Sequence, residues 1–215
     1  MTDKSNVLFP APDFSWSLLH PKHWPTWGLM GIWFCISQLP YSWQTAIGIQ
    51  LGHLLQKIGG GRVRISKINI AKCFPDYSEQ QKSELLRKSF ESIGIGFIEV
   101  GIGWWGRKKS FNQIQKISGL EHIQKAQQTG RGILLITGHF TPMEVAARIL
   151  GEHTAIRLMY KKNGNAVFEW VSSRRRAHYT KEMIPHKAVQ HFLERLKAGD
   201  ACVYLVDQDY RLRHS

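Results

Sequence analysis

Residues 132–137 form a short apolar run (GILLIT) that leads into Gly138-His139-Phe140-Thr141-Pro142-Met143-Glu144. An imidazole followed by a carboxylate can do general-base work: the ring takes a proton, and the acid fixes its tautomer and stabilises the imidazolium that forms. On one continuous helix, side chains five positions apart diverge by roughly 140°. The pairing therefore needs His139 in a strand–helix turn and Glu144 in the first turn of the following helix, folded back onto the ring. The motif holds no Ser or Cys nucleophile, so the hydroxyl to be activated would be brought by a substrate. The same residues also spell a helix start. Thr141 as N-cap, Pro142 at the first helical position and Glu144 at the third make a capping box, in which Glu144 serves a backbone donor. The two roles are compatible, because capping would hold Glu144 beside the strand end.

The surrounding elements must place that turn. Residues 132–137 and 201–206 (ACVYLV) read as buried strands bounded by Gly or Asp, and 155–160 (AIRLMY) as a weaker third. Helical stretches at 143–151, 166–177 and 188–198 lie between them. Strand, helix, strand, helix, helix, strand predicts an α/β domain with a largely parallel sheet. In such sheets functional groups gather just beyond the carboxyl ends of the strands. Upstream, Ser78 and Gln81 have capping-box spacing and open a predicted amphipathic helix over 79–105. A basic turn (Arg107, Lys108, Lys109) and a helix over 120–129 follow.

The 215 residues carry 29 Lys and Arg against 16 Asp and Glu, a net charge of +13. With 43% apolar residues the chain is no disordered basic tail, and three scattered cysteines exclude a disulfide framework. Cys35, Cys73 and Cys202 read as reduced or buried thiols without chemistry. No charged Asp, Glu, Lys or Arg occurs from His23 to Gln56, a window studded with Trp24, Trp27, Trp33, Tyr41 and Trp43. Neither half of it reaches the ~18 apolar residues of a clean membrane span. It reads either as a buried core helix followed by an amphipathic one or as an interfacial anchor. So many Trp without charge favour the anchor, with Lys22, Arg62, Arg64 and Lys67 suited to anionic headgroups.

Four stretches together resemble the late acyltransferases of lipid A biosynthesis, most like the Kdo-lipid IVA lauroyltransferase type. They are Arg62 with Asn69-Ile-Ala-Lys-Cys73-Phe74-Pro75; His139 with Glu144; residues 160–176, from Tyr160 through Asn163, Asn165 and Glu169 to Arg174-Arg175-Arg176; and Asp207-Gln208-Asp209-Tyr210. The resemblance implies a glycerol-phosphate-acyltransferase-like α/β sandwich with a mostly parallel central sheet and an N-terminal membrane-associated helix. The expected division is a lead over 1–22, membrane-anchoring or interfacial helices over 23–58, and an acyltransferase domain over 59–215. The implied enzyme works at the cytoplasmic face of the inner membrane. It moves an acyl chain, lauroyl on resemblance alone, from acyl carrier protein to a hydroxyl on an acyl chain of the lipid A precursor. It needs no cofactor, no metal and no nucleic acid.

Carried onto this chain, His139 is the base, Glu144 orients it, and Arg176 faces a developing oxyanion or a phosphate. Lys161, Asn163, Asn165, Arg174, Arg175, Asp207 and Asp209 are candidate substrate contacts, although each also suits a polar turn or a solvated edge. Arg211 stands where the family usually has Gly. The chain stops at Ser215 where the family continues, so the acyltransferase domain is expected to be incomplete and the 215-residue form inactive or poorly stable. Residues 157–187 hold eight basic residues against Glu169 and Glu182, a stretch suited to a phosphorylated lipid and an acidic carrier. Two alternatives compete. A phospholipid-type acyltransferase is weakened by Gly138, where Asn usually precedes the His. A basic nucleic-acid-binding protein gives no role to the Trp-rich window and has no finger or RNP-like motif.

Overall fold

The computed structural model describes residues 11–107 and 117–207. Two short 3-10 turns, Trp16–Leu19 and Pro21–His23, lead into α1 (Trp24–Ser37), α2 (Tyr41–Ile58), α3 (Gly60–Cys73) and α4 (Glu79–Trp105). Then come α5 (Leu120–Gln128), β1 (Ile133–Thr137), α6 (Met143–His153), β2 (Ile156–Tyr160), α7 (Ala166–Arg176), β3 (Glu182–Pro185), α8 (Val189–Lys197) and β4 (Ala201–Leu205). The strands form one sheet in the order β1-β4-β2-β3, with every pair parallel. The result is a largely helical α/β fold around a parallel sheet.

Period-two alternation gives each strand two packed faces. On one, Ile156, Ala201 and Val203 pack with Ile133, Leu135 and Leu158 against Leu150 of α6. On the other, Ile184 and Cys202 pack with Phe192 and Leu196 of α8. Strand β3 lies between two expected helices and was not anticipated. Its four residues (EMIP) carry a Glu and a Pro, and it pairs only with β2 among the described residues. Pro185 is tolerated there because a strand end at the sheet edge needs no donor on that side. Glu182 is buried and accepts a bond from Arg157 Nε at 3.1 Å across the β2–β3 pair, while Asp200 binds the same guanidinium. Arg157 thus supports the sheet core, and its charge is not available to the site that the basic stretch was expected to serve.

Helix α4 opens with the expected capping box, in which Ser78 and Gln81 exchange side-chain and backbone bonds. It is the strut on which the amino-terminal helices lie. Gly48 and Gly52 of α2 meet Gly94 of α4 with almost no gap: a Cβ at Gly52 would strike the Phe90 carbonyl, and one at Gly94 the Gly48 carbonyl. Only glycine permits backbones this close.

The Trp-rich window has an inward and an outward face. Trp27 and Trp33 turn inward and join Met30, Trp104, Val167 and Phe168 in an aromatic core linking α1, α4 and α7. Trp24, Leu29, Ile32, Tyr41 and Trp43 instead face outward, each more than half exposed. No helix among the described residues is long and apolar enough to cross a membrane. Cys35 and Cys73 are exposed free thiols and Cys202 is a buried one.

Candidate active site

Sheet register builds the site. Thr137 at the end of β1 lies opposite Leu205 at the end of β4. Two residues beyond each are His139 and Asp207, so the parallel pairing delivers both to the same place. The His139 backbone N–H donates to Asp207 Oδ2 at 2.8 Å, and His139 Nδ1 lies 2.8 Å from Asp207 Oδ1. Gly138 leaves room for this clasp, since a Cβ there would come within 3.3 Å of Asp207 Oδ2. The His139 amide and ring bonds hold the Asp207 carboxyl below its ordinary value, so it is a charged acceptor at neutral pH. Helix α4 supports the loop from beneath: Ser92 Oγ lies 3.3 Å from Thr141 Oγ1, and a Cβ at Gly96 would press on Thr141.

The carboxylate that meets His139 in the structure is Asp207, from the block expected to contact substrate. Glu144, expected in that role, is turned elsewhere. Its buried carboxylate accepts from Arg176 Nε (2.9 Å), Tyr179 Oη (2.7 Å) and Trp104 Nε1 (3.1 Å), with Arg176 Nη2 closing a second short contact. Burial pushes the Glu144 carboxyl upward, but the Arg176 charge and the three donors outweigh it and keep the group below its usual value. The same burial, with the Glu144 charge beside it, drives the Tyr179 hydroxyl far above its ordinary pKa. The expected capping box at Thr141 does not form either. Pro142 takes the N-cap position without a side-chain bond, and Glu144 is drawn away by the buried guanidinium.

Glu144 therefore ties together α4, α6, α7 and the turn after α7. Neither Trp104 nor Tyr179 was anticipated. Trp104 had a signal in the Gly-rich, aromatic end of α4, where a Cβ at Gly103 would lie 2.9 Å from Glu144 Cβ; Tyr179 had none.

The other candidates are spread apart. Asn165 caps α7 by accepting from the Phe168 N–H at 3.0 Å, and its Nδ2 donates to Thr26. Asn163 accepts from the Asn165 N–H through its side chain and donates its own N–H to Glu169 Oε2. Both make the polar turn that was the competing reading. Arg174 lies over Trp170 at 5.3 Å and Arg175 over Trp105 at 5.9 Å, their charges resting on aromatic faces. Lys161 is exposed. Asp209 lies outside the described residues, as do Gln208, Tyr210 and Arg211.

Residues 11–215 match the family described as bacterial lipid A biosynthesis acyltransferase. The lipid A biosynthesis lauroyltransferase of Escherichia coli K12 is 34% identical over 204 residues, 95% of this chain and 67% of that protein. The palmitoleoyltransferase of the same organism is 29% identical over 203 residues, covering 94% and 66%. A lipid A biosynthesis acyltransferase of Haemophilus influenzae is 31% identical over 201 residues, covering 93% and 64%. The chain spans about two thirds of the length of these relatives. A match along nearly its whole length, with the His139 turn built at the strand ends, makes this chain a member of the bacterial lipid A biosynthesis acyltransferase family.

Proposed function

We propose that this protein is an O-acyltransferase that moves a fatty acyl chain from acyl carrier protein to a hydroxyl on an acyl chain of the lipid A precursor. The observation that carries the chemistry is the two-bond clasp of Asp207 on His139. With Nδ1–H donating to the Asp207 carboxylate, Nε2 takes the proton of the acceptor hydroxyl. The alkoxide attacks the thioester carbonyl, and the carrier thiolate leaves and recovers a proton from the imidazolium. Asp207 holds the ring in register throughout through its bonds to the His139 N–H and Nδ1.

Glu144 and Arg176 act on this reading as positioning residues. Their ion pair anchors the first turn of α6, and so the loop from Gly138 to Pro142 that carries the base. Lauroyl is favoured as the acyl chain because the lauroyltransferase is among the most similar relatives. Relatives with other named chains keep the length open to the test.

The protein works at a membrane surface on this reading, at the cytoplasmic face of the inner membrane where carrier protein and precursor meet. Support comes from the outward apolar face of α1 and α2, bearing Trp24, Leu29, Ile32 and Trp43. With 14 residues, α1 is roughly 21 Å long, which suits lying on a bilayer better than crossing it. The test is transfer from carrier proteins charged with graded acyl chains, offered lipid A precursor or a lysophospholipid. Turnover on the precursor that His139→Ala abolishes is expected; equal turnover by His139→Ala, or transfer only to lysophospholipid, overturns the reading.

A further inference from the structure

Lys57 at the end of α2, Lys67 on α3 and Arg87 on α4 converge on one open groove of about 610 Å³, away from His139. Its apolar lining includes Val63 and Leu86. The carboxylates nearby are already engaged. Glu91 pairs with His53 at 2.6 Å and with Arg87, and Glu84 pairs with Arg87 and Lys88. Lys57 and Lys67 have no carboxylate partner among the described residues, and Glu84, which also lines the concavity, is paired with Arg87, so two ammonium groups remain in surplus there. That arrangement calls for an anion.

The position of the groove narrows the choice. The charge-free window ends at Gln56, and Lys57 is the first charge after it. Leu54 and Ile58 beside it are exposed, as are Ile65 and Ile68 on α3. Helix α3 adds Arg62, Arg64 and Lys72 and carries no acid. Apolar side chains ringed by unpaired cations match an amphiphile with a phosphate head. A folded acidic protein would instead present a carboxylate surface to a more polar rim.

We propose that the groove between α2, α3 and α4 is a phosphate site filled by the headgroup of an anionic membrane lipid, seating the protein on the bilayer beside its apolar face. This rests on the membrane-surface reading above. It adds a site separate from the one for chemistry, at the depth where the uncharged surface gives way to lipid phosphates.

The test is co-sedimentation of the full chain with vesicles of phosphatidylcholine alone or mixed with phosphatidylglycerol. The variants are Lys57→Gln/Lys67→Gln and, as a charge-matched control on α5 and α8, Lys125→Gln/Lys197→Gln. Each basic residue near an anionic surface is worth enough that the first variant should partition about thirtyfold more weakly onto the mixed vesicles. The control should stay within about twofold of wild type, and all three should bind pure phosphatidylcholine alike. Replacing chloride by inorganic phosphate at equal ionic strength should displace wild type, and not the groove variant, from mixed vesicles.

Equal loss in the two double variants reduces the effect to diffuse charge and overturns the site. Unchanged binding by the groove variant, with loss only of an acidic protein partner, overturns the lipid as occupant. Displacement of wild type by phosphate from pure phosphatidylcholine as well shows that the free ion, and not a headgroup, fills the groove. Failure of wild type to bind either vesicle removes the membrane reading itself, an outcome distinct from loss of the groove alone.

Discussion

Two carboxylate pairs start from neighbouring residues, His139 and Glu144, and differ in setting. His139 and Asp207 leave 40% and 43% of their side chains exposed; Glu144 and Arg176 leave 9% and 23%. The first pair is open to water and to an incoming group, as the proposed proton transfer requires. The second holds a charge that burial would neutralise were the partner removed. On the proposed mechanism, exposure, more than residue type, separates the acid that serves chemistry from the acid that serves the frame.

The sharpest way to break this contrast is His139→Ala. It should lower acyl transfer about 10³–10⁴-fold, the upper part of what a general base supplies, with the urea unfolding midpoint unchanged. A midpoint that drops with activity would make His139 structural. Glu144→Ala should show the reverse signature. Leaving Arg176 buried and uncompensated should cost about 3–5 kcal/mol of stability, read by chemical denaturation. A fully stable Glu144→Ala protein without activity would return Glu144 to the chemical step.

Asp207→Asn should reduce kcat by about a hundredfold through the wrong ring tautomer, again without loss of stability. Tyr179→Phe removes one donor from a buried carboxylate and should cost about 1–3 kcal/mol, with activity preserved where the protein remains folded. The mildest test uses pH. The Glu144 carboxyl lies below its ordinary 4.5, so its contribution is present above that value and is lost as the pH falls through the lower folded one. Stability of wild type should therefore decline on acidification below about pH 5, and Glu144→Gln should flatten that limb.

Much of the scaffold was legible locally. The Ser78–Gln81 box, the long helix behind it and the apolar runs that became β1, β2 and β4 carry their signals within a few residues. His139 stood out because it follows a strand signal directly. The partner of His139 did not, because it lies 68 residues away and is delivered by the β1–β4 register, which no local pattern encodes. The contacts of Glu144 are hidden from local reading for a related reason: Arg176, Tyr179 and Trp104 approach from elements 32 to 40 residues distant. Strand β3 escaped because Glu182 is stabilised in the core by Arg157, so a buried segment looked polar.

The glycine seam between α2 and α4 has a mechanical consequence. Helices with interlocked backbones cannot slide or rock against one another, so α2 and α4 behave as one rigid spar. That spar carries Trp43 and Lys57 on one member and Ser92, beneath the His139 loop, on the other. If α1 and α2 rest on a bilayer as proposed, the height of the base above the lipid is set by this joint. A single alanine at Gly52 would then act as a shim, tilting the reactive imidazole relative to the membrane without touching His139 or Asp207.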